Sequence, residues 1–372
     1  MPDATLTAPL PPGSTIGILG SGQLGRMLAM AAARLGLKSH IYDEEPGPAF
    51  DVAAHRTQAA FDDWTALGTF AAEVDAVTYE FENVPRAAVA HLARLVPVRP
   101  SIKALEVSQD RLAEKEFVSG LSIPVAEFRA VDSLHDLQSA VAAFNAPAIL
   151  KTRRFGYDGK GQVSVRPGDD LGAAWRTVGE RLCVLERRIP FACEISTLIV
   201  RGQSGDVAVY ESPRNTHETG ILRRSIVPAH VPEEDIARAR QIAQSIAQAL
   251  GYVGVLTVEM FHLGENAPPD QRLVVNELAP RVHNSGHWTI EACPVSQFEN
   301  HMRAVAGWPL GTTERHSDAE MLNLIGAEAL EWQKLATDPS ACVHLYGKRD
   351  ARPGRKMGHV TRLSAKGTGP VT

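Results

Sequence analysis

Long apolar runs are missing from this chain of 372 residues. Nothing approaches the ~18 consecutive apolar residues of a membrane-spanning helix, so a membrane is not expected as a partner. Cysteine is scarce: Cys183, Cys193, Cys293 and Cys342 include no C-x-x-C pair. That excludes a zinc ribbon or disulfide scaffold and leads to the expectation of reduced, mostly buried thiols in a cytoplasmic protein. Basic residues are not in surplus, with 38 Lys and Arg against 43 Asp and Glu and a formal net charge of −5. Bulk electrostatic binding of nucleic acid needs a basic excess or a large basic face, so nucleic acid is not expected either. Residues 1–13 are rich in Pro and lack the basic start and apolar core of an export signal; they read as a disordered tail. Internal repeats and low-complexity segments are also missing.

What is present is an ordinary globular composition, 44% apolar and 22% charged. At ~150 residues per domain the length predicts two or three domains. Strands are expected at 15–19, 38–42 and 75–81, alternating with helices at 23–35, 64–74 and 85–95. Such alternation implies a doubly wound parallel sheet. The rhythm then changes. Helices are expected at 110–119 and 131–144, and a strand at 148–151 leads through a glycine loop at 156–161 into a returning strand at 162–165. That unit reads as a small separate domain bounded near Glu186. Hairpin-like strands at 194–200, 206–210 and 222–227 follow. The clearest helix spans 233–250, with Ile236, Ala239, Ile242, Ile246 and Ala249 on one face and Gly251 just past its end. Strands at 253–261 and 272–277 frame a loop. The fold class is α/β, α+β overall.

Five motifs carry chemistry. Gly20-Ser21-Gly22-Gln23-Leu24-Gly25 is a G-x-G-x-x-G between an expected strand and helix, with Asp43 at the end of the second strand. Its turn brings backbone N–H groups to an anion; it points to phosphate and only weakly to a nicotinamide dinucleotide. Lys151 precedes Gly156-Tyr157-Asp158-Gly159-Lys160-Gly161. No Walker A sequence occurs, and a lysine and glycine loop from different strands resemble the kinase arrangement for nucleotide phosphates. Glu259 and Glu277 each follow an apolar strand, with Asn276 beside the second; hard oxygens from neighbouring strands suit Mg²⁺. Arg281, His283, Asn284 and His287 line a loop with Gly286, which disfavours a zincin-type helix and suits a small oxyanion. Arg355 and Lys356 beside Gly354 suit a phosphate monoester.

Together the segments GILGSGQLGRM, TYEFENVP, SQDRLAEKEF, KTRRFGYDGKGQ, RNTHETGILRRS, GYVGVLTVEMF, NELAPRVHNSGHW and GRKMGH resemble the ATP-grasp superfamily. Within it they resemble the N5-carboxyaminoimidazole ribonucleotide synthetase family of purine biosynthesis. The resemblance implies three domains: an N-terminal doubly wound domain at 14–108, a small lid at 109–187 and a C-terminal mixed-sheet domain at 188–372 with the metal and substrate site. It implies carboxylation of 5-aminoimidazole ribonucleotide with ATP and bicarbonate through carboxyphosphate, in a homodimer using Mg²⁺. For ATP it implies Arg111, Lys151, the lid Gly156, Tyr157, Asp158, Gly159, Lys160, Gly161 and Gln162, the hinge Glu186, Arg187, Arg188 and Ile189, and Glu194, His217, Asn276 and Glu277. Glu259 and Glu277 would hold the metal. Gln23, Glu80, Tyr157, Asp158, Lys160, Arg281, Arg355 and Lys356 would hold the ribonucleotide. Arg281, His283, Asn284 and Lys356 would serve the chemistry on carboxyphosphate. A nicotinamide enzyme would need a further catalytic constellation that the sequence does not offer.

Overall fold

The structure, a computed structural model, describes residues 6–156 and 159–369. Its strands fall into three sheets. The first is wholly parallel, built from β1 (Thr15–Leu19), β2 (Lys38–Asp43), β3 (His55–Gln58) and β4 (Ala76–Tyr79) in the order β3-β2-β1-β4. Helix Gln23–Arg34 leaves β1 and buries Leu24, Met27, Leu28 and Ala32. Strand β3 carries no apolar pattern because it is an edge strand with mostly exposed side chains, which hid it from periodicity.

The second sheet holds β5 (Phe128–Val131), β6 (Ala148–Thr152), β7 (Gln162–Val165) and β8 (Cys183–Arg187), antiparallel in the order β5-β8-β6-β7. The helix expected at 131–144 is corrected here. Val131 ends a strand, and Ser133 caps a helix at Leu134–Phe144 by accepting from the Asp136 N–H at 3.2 Å. A serine that satisfies an orphan helix N–H sets the start more sharply than the apolar run does.

The third sheet is the largest and almost wholly C-terminal. It joins β9 (Cys193–Arg201), β10 (Val207–Val209), β11 (Arg214–Glu218), β12 (Ile221–Val227), β13 (Gly254–His262), β14 (Leu273–Ala279), β15 (Ser317–Ile325), β16 (Ala341–Leu345) and β17 (Lys356–Ala365). Its path is β14-β13-β9-β11-β12-β15-β17-β16, with β10 on β9. Helix Glu233–Ala249 packs Ile236, Ile242 and Ile246 onto Ile199, Leu256 and Val258 of β9 and β13. Each such side chain contributes about 1.5–3 kcal/mol over leaving it in water. Gly251 follows with φ +57°, the left-handed conformation that lets the chain turn out of the helix. The basic residues Arg355 and Lys356 lead into β17, which buries Met357, His359, Val360 and Thr361.

Among the described residues no helix is long and apolar enough to cross a membrane.

Candidate active site

The three sheets surround one cavity of about 1180 Å³. Most of the residues singled out from sequence converge on it. Gln23 opens the helix after β1 and Glu80 follows β4 in the N-terminal unit, while Lys151 and the hinge Glu186, Arg187, Arg188 and Ile189 come from the small sheet and the turn after β8. Glu194, His217, Glu259, Asn276 and Glu277 come from the large sheet, and Arg281, His283 and Asn284 from the loop after β14. Arg111, Gly156, Gly159, Lys160, Gln162, Arg355 and Lys356 complete the set. Gly161 does not line it. With φ +72° it closes the turn between β6 and β7, its carbonyl accepts from the Thr152 N–H at 2.8 Å, and a Cβ there would lie 2.6 Å from Thr152 Oγ1. Tyr157 and Asp158 lie outside the described residues.

The carboxylates sit where strand pairing puts them. Glu259 on β13 is the direct partner of Glu277 on β14, with a register shift just after it. Burial by itself would raise the Glu277 pKa, but Arg111 Nη1, 3.0 Å from Oε2, holds it down at about 2. Glu259 Oε1 lies 3.0 Å from His283 Nε2. Asn276 Oδ1 is buried with no hydrogen-bond partner. Among the described residues no group of three or more His, Cys, Asp or Glu is arranged to hold a metal by itself. Two carboxylates and an orphaned amide oxygen nevertheless fit Mg²⁺, which keeps waters and takes further oxygens from phosphate.

Beside them lies a buried cluster of charges that sequence reasoning found only in part. Glu186 Oε2 lies 3.0 Å from Lys151 Nζ and 3.3 Å from Lys115 Nζ. Burial pushes the Lys151 pKa below its usual value, against the pull of Glu186. Lys115, from helix Arg111–Gly120, also donates to the Asn276 carbonyl at 2.8 Å and so ties the hinge to the carboxylate strand. Glu114 accepts the Leu278 N–H at 2.9 Å; burial first, and Glu277 second, raise its pKa to about 8. Arg111 and Lys115 stand one helical turn apart, a spacing that was readable.

The glycine loop Gly20–Gly25 does receive an anion, and the anion belongs to the chain. Glu80 accepts from the Gly22 N–H at 2.5 Å and the Gly25 N–H at 2.6 Å, while Asp43 accepts from the Ser21 N–H at 2.6 Å. A pyrophosphate on these amides would meet both carboxylates, so the loop is no dinucleotide site.

The loop after β14 is clamped from several sides. Arg281 forms a two-pronged pair with Glu82, Nη2 to Oε1 at 3.1 Å and Nε to Oε2. Gln297, wholly buried, accepts from the His283 N–H at 2.8 Å and donates to the His283 carbonyl at 2.6 Å. Asn284 and Asn323 exchange amide hydrogen bonds at 2.9 and 2.6 Å. His217 Nδ1 bonds Glu194 Oε2; burial opposes the charged imidazole, yet the glutamates raise its pKa. Glu82, Gln297 and Asn323 had no signal in the sequence, since each acts across a fold contact distant in the chain.

Family models match three stretches: a ribonucleotide synthetase preATP-grasp domain at residues 14–109, an ATP-grasp domain at 116–298 and a phosphoribosylaminoimidazole carboxylase C-terminal domain at 319–368. An N5-carboxyaminoimidazole ribonucleotide synthase of Brucella melitensis is 48% identical over 96% of this chain and 98% of its own. A crystal structure of an N5-carboxyaminoimidazole ribonucleotide synthetase with ADP superposes with a TM-score of 0.90, at 39% identity over 96% of this chain and 94% of that one. The Aspergillus clavatus N5-carboxyaminoimidazole synthase, solved with ADP and 5-aminoimidazole ribonucleotide, gives 0.88 at 31% identity over 95% and 94%. With three sheets around one charged cavity, the architecture is that of an ATP-grasp ligase. The chain belongs to the N5-carboxyaminoimidazole ribonucleotide synthase family, as the sequence motifs implied.

Proposed function

We propose that this protein carboxylates the exocyclic amine of 5-aminoimidazole ribonucleotide, consuming ATP and bicarbonate and releasing ADP and phosphate. The observation that carries the reading is the convergence on one cavity of a phosphate-type lysine, Lys151, paired strand carboxylates, Glu259 and Glu277, and a basic segment, Arg355 and Lys356. A bicarbonate oxygen attacks the γ-phosphorus, and the bond to the β-bridging oxygen breaks, leaving ADP and carboxyphosphate. The amine nitrogen then bonds the carboxyl carbon, the carbon–oxygen bond to phosphate breaks, and the amine loses a proton. Such phosphoryl transfer calls on the protein for positioning and charge neutralisation more than for covalent chemistry.

Glu259, Glu277 and Asn276 Oδ1 would hold Mg²⁺, which neutralises phosphate charge when bound. Lys151 and Arg111 face the phosphates, and Glu186 to Ile189 with Glu194 and His217 take the nucleoside end. Gly156, Gly159, Lys160 and Gln162 cover it and keep water from a labile intermediate, with Gly161 shaping the turn that carries them; Tyr157 and Asp158 belong to the same lid in this reading. Arg281, His283 and Asn284 surround the bicarbonate-derived group. Gln23, Glu80, Lys160, Arg355 and Lys356 hold the ribonucleotide. A homodimer in the cytoplasm, with units at 14–108, 109–187 and 188–372, belongs to the same reading.

The test is ADP release with and without each co-substrate. Release should require bicarbonate and 5-aminoimidazole ribonucleotide together. Release indifferent to both overturns the proposal.

A further inference from the structure

Beneath the cavity a chain of hydrogen bonds runs from His283 into the large sheet. His283 Nδ1 lies 2.8 Å from Ser285 Oγ, which lies 2.7 Å from Ser196 Oγ on β9. Asn215 Nδ2 on β11 donates to Ser196 Oγ at 3.0 Å, and Ser225 Oγ on β12 donates to Asn215 Oδ1 at 2.7 Å. Ser196, Ser225 and Ser285 are wholly buried and Asn215 is 6% exposed, so water does not compete for these groups. None of them lines the main cavity among the residues named above.

The chain has a direction. An amide nitrogen only donates, so Ser196 Oγ receives a hydrogen from Asn215; among the described residues the other partner of that hydroxyl is Ser285 Oγ, so a buried Ser196 hydrogen is satisfied only by donating there. Ser285 in turn passes its hydrogen to His283 Nδ1. A second contact agrees: the Ser285 backbone N–H, which can only donate, also points at Nδ1, at 3.4 Å. Nδ1 is therefore an acceptor, and the neutral ring carries its hydrogen on Nε2, facing Glu259 Oε1 at 3.0 Å. Were the hydrogen on Nδ1, two donors would oppose it and the Nε2 lone pair would face a carboxylate.

We propose that Ser225, Asn215, Ser196 and Ser285 are positioning residues that hold His283 as its Nε2–H tautomer, so that it donates to Glu259 and orients that carboxylate. Three strands of one sheet thus act on a cavity residue through its far nitrogen, as outer partners of ligating groups commonly do. The inference rests on the placement of His283 and Glu259 in the site proposed above.

The experiment records the imidazole ¹⁵N resonances of His283 at one fixed pH, assigned by their loss in His283→Asn, alongside steady-state kinetics. In the unaltered protein Nε2 should resonate as the protonated nitrogen. Asn215→Asp turns the donor into an acceptor and reverses the chain, so the protonated and unprotonated resonances should exchange. The same variant should lose about 10–100-fold in kcat while the KM for ATP stays within about 2-fold, since the loss is not of ground-state binding. Ser285→Ala removes one hydroxyl at the near end and should give a mixture of tautomers; it decides the matter by itself if Asn215→Asp does not fold. An unchanged tautomer in these variants, or an Nδ1–H ring in the unaltered protein, overturns the proposal. Absence of substrate-dependent ADP release in the unaltered protein defeats the functional reading instead, and the resonances still report the tautomer.

Discussion

Glu80 accepts hydrogen bonds from the backbone N–H groups of both Gly22 and Gly25, at 2.5 and 2.6 Å. The carboxylate occupies the helix N-terminus that a G-x-G-x-x-G loop otherwise offers to phosphate. Gly22 has no room for a side chain, as a Cβ there would lie 2.4 Å from Glu80 Oε1.

Replacing Glu80 by Ala leaves those amides without an acceptor. Hydrogen bonds to a charged group contribute about 1.5–3 kcal/mol each, so denaturant unfolding should show a loss of about 3 kcal/mol or more. NADH fluorescence should report no binding to the unaltered protein. Unchanged stability in Glu80→Ala would show that the loop does not depend on its internal anion.

Glu277→Gln should abolish Mg-ATP turnover and leave the circular dichroism spectrum unchanged. The substitution keeps the side-chain shape but removes the charge that faces Arg111 and Glu259. Near-normal ADP release in this variant would end the metal assignment.

The two neighbouring carboxyls should give opposite pH dependences. Glu114, raised to about 8, stabilises the fold most below the ordinary carboxyl range near 4.5 and loses that contribution as pH rises through about 8. Glu277, lowered to about 2, contributes above the same range and loses its contribution as pH falls through about 2. Glu114→Gln should therefore match the unaltered protein below about pH 4.5 and exceed it in unfolding free energy by a margin that grows as pH rises towards about 8. A constant difference between the two across this range would contradict the assignment.

Gln297→Leu removes both clamps on the His283 backbone. Each buried peptide group left unpaired costs about 1–3 kcal/mol, so thermal unfolding should fall clearly, and kcat should fall with it as the loop from Arg281 to Asn284 loosens. Gln297→Glu keeps the acceptor for the His283 N–H and loses the donor to its carbonyl. It should lie between the two; equality with Gln297→Leu would mean that the acceptor side does not matter.

Much of this was legible beforehand. The strand at 15–19 shows as a continuous apolar run because it is buried on both faces in the middle of its sheet, and the helix from Gln23 shows in apolar periodicity because it buries one face. Lys151, Glu259 and Glu277 were visible because a charged residue ending an apolar strand is costly unless it is used. Strands β3 and β11 escaped because HRTQ and RNTHE carry almost no apolar side chains; their pairing comes from neighbours. Glu82, Gln297 and Asn323 escaped for a related reason. Glu82 meets Arg281 across 199 residues of chain, and Asn323 meets Asn284 across 39.

By itself the sequence determined the order of elements, the kind of chemistry and the family, since local periodicity and short motifs need only neighbouring residues. The tertiary structure alone decided which charges neutralise one another. It decided that the glycine loop holds Glu80 rather than a nucleotide phosphate, that Gly161 serves a turn rather than the cavity wall, and that burial and the nearby Glu277 lift the Glu114 carboxyl well above the usual carboxylate range. Those outcomes depend on burial and on distances of a few ångströms between residues far apart in the chain, and such distances exist only once the three sheets have closed around the cavity.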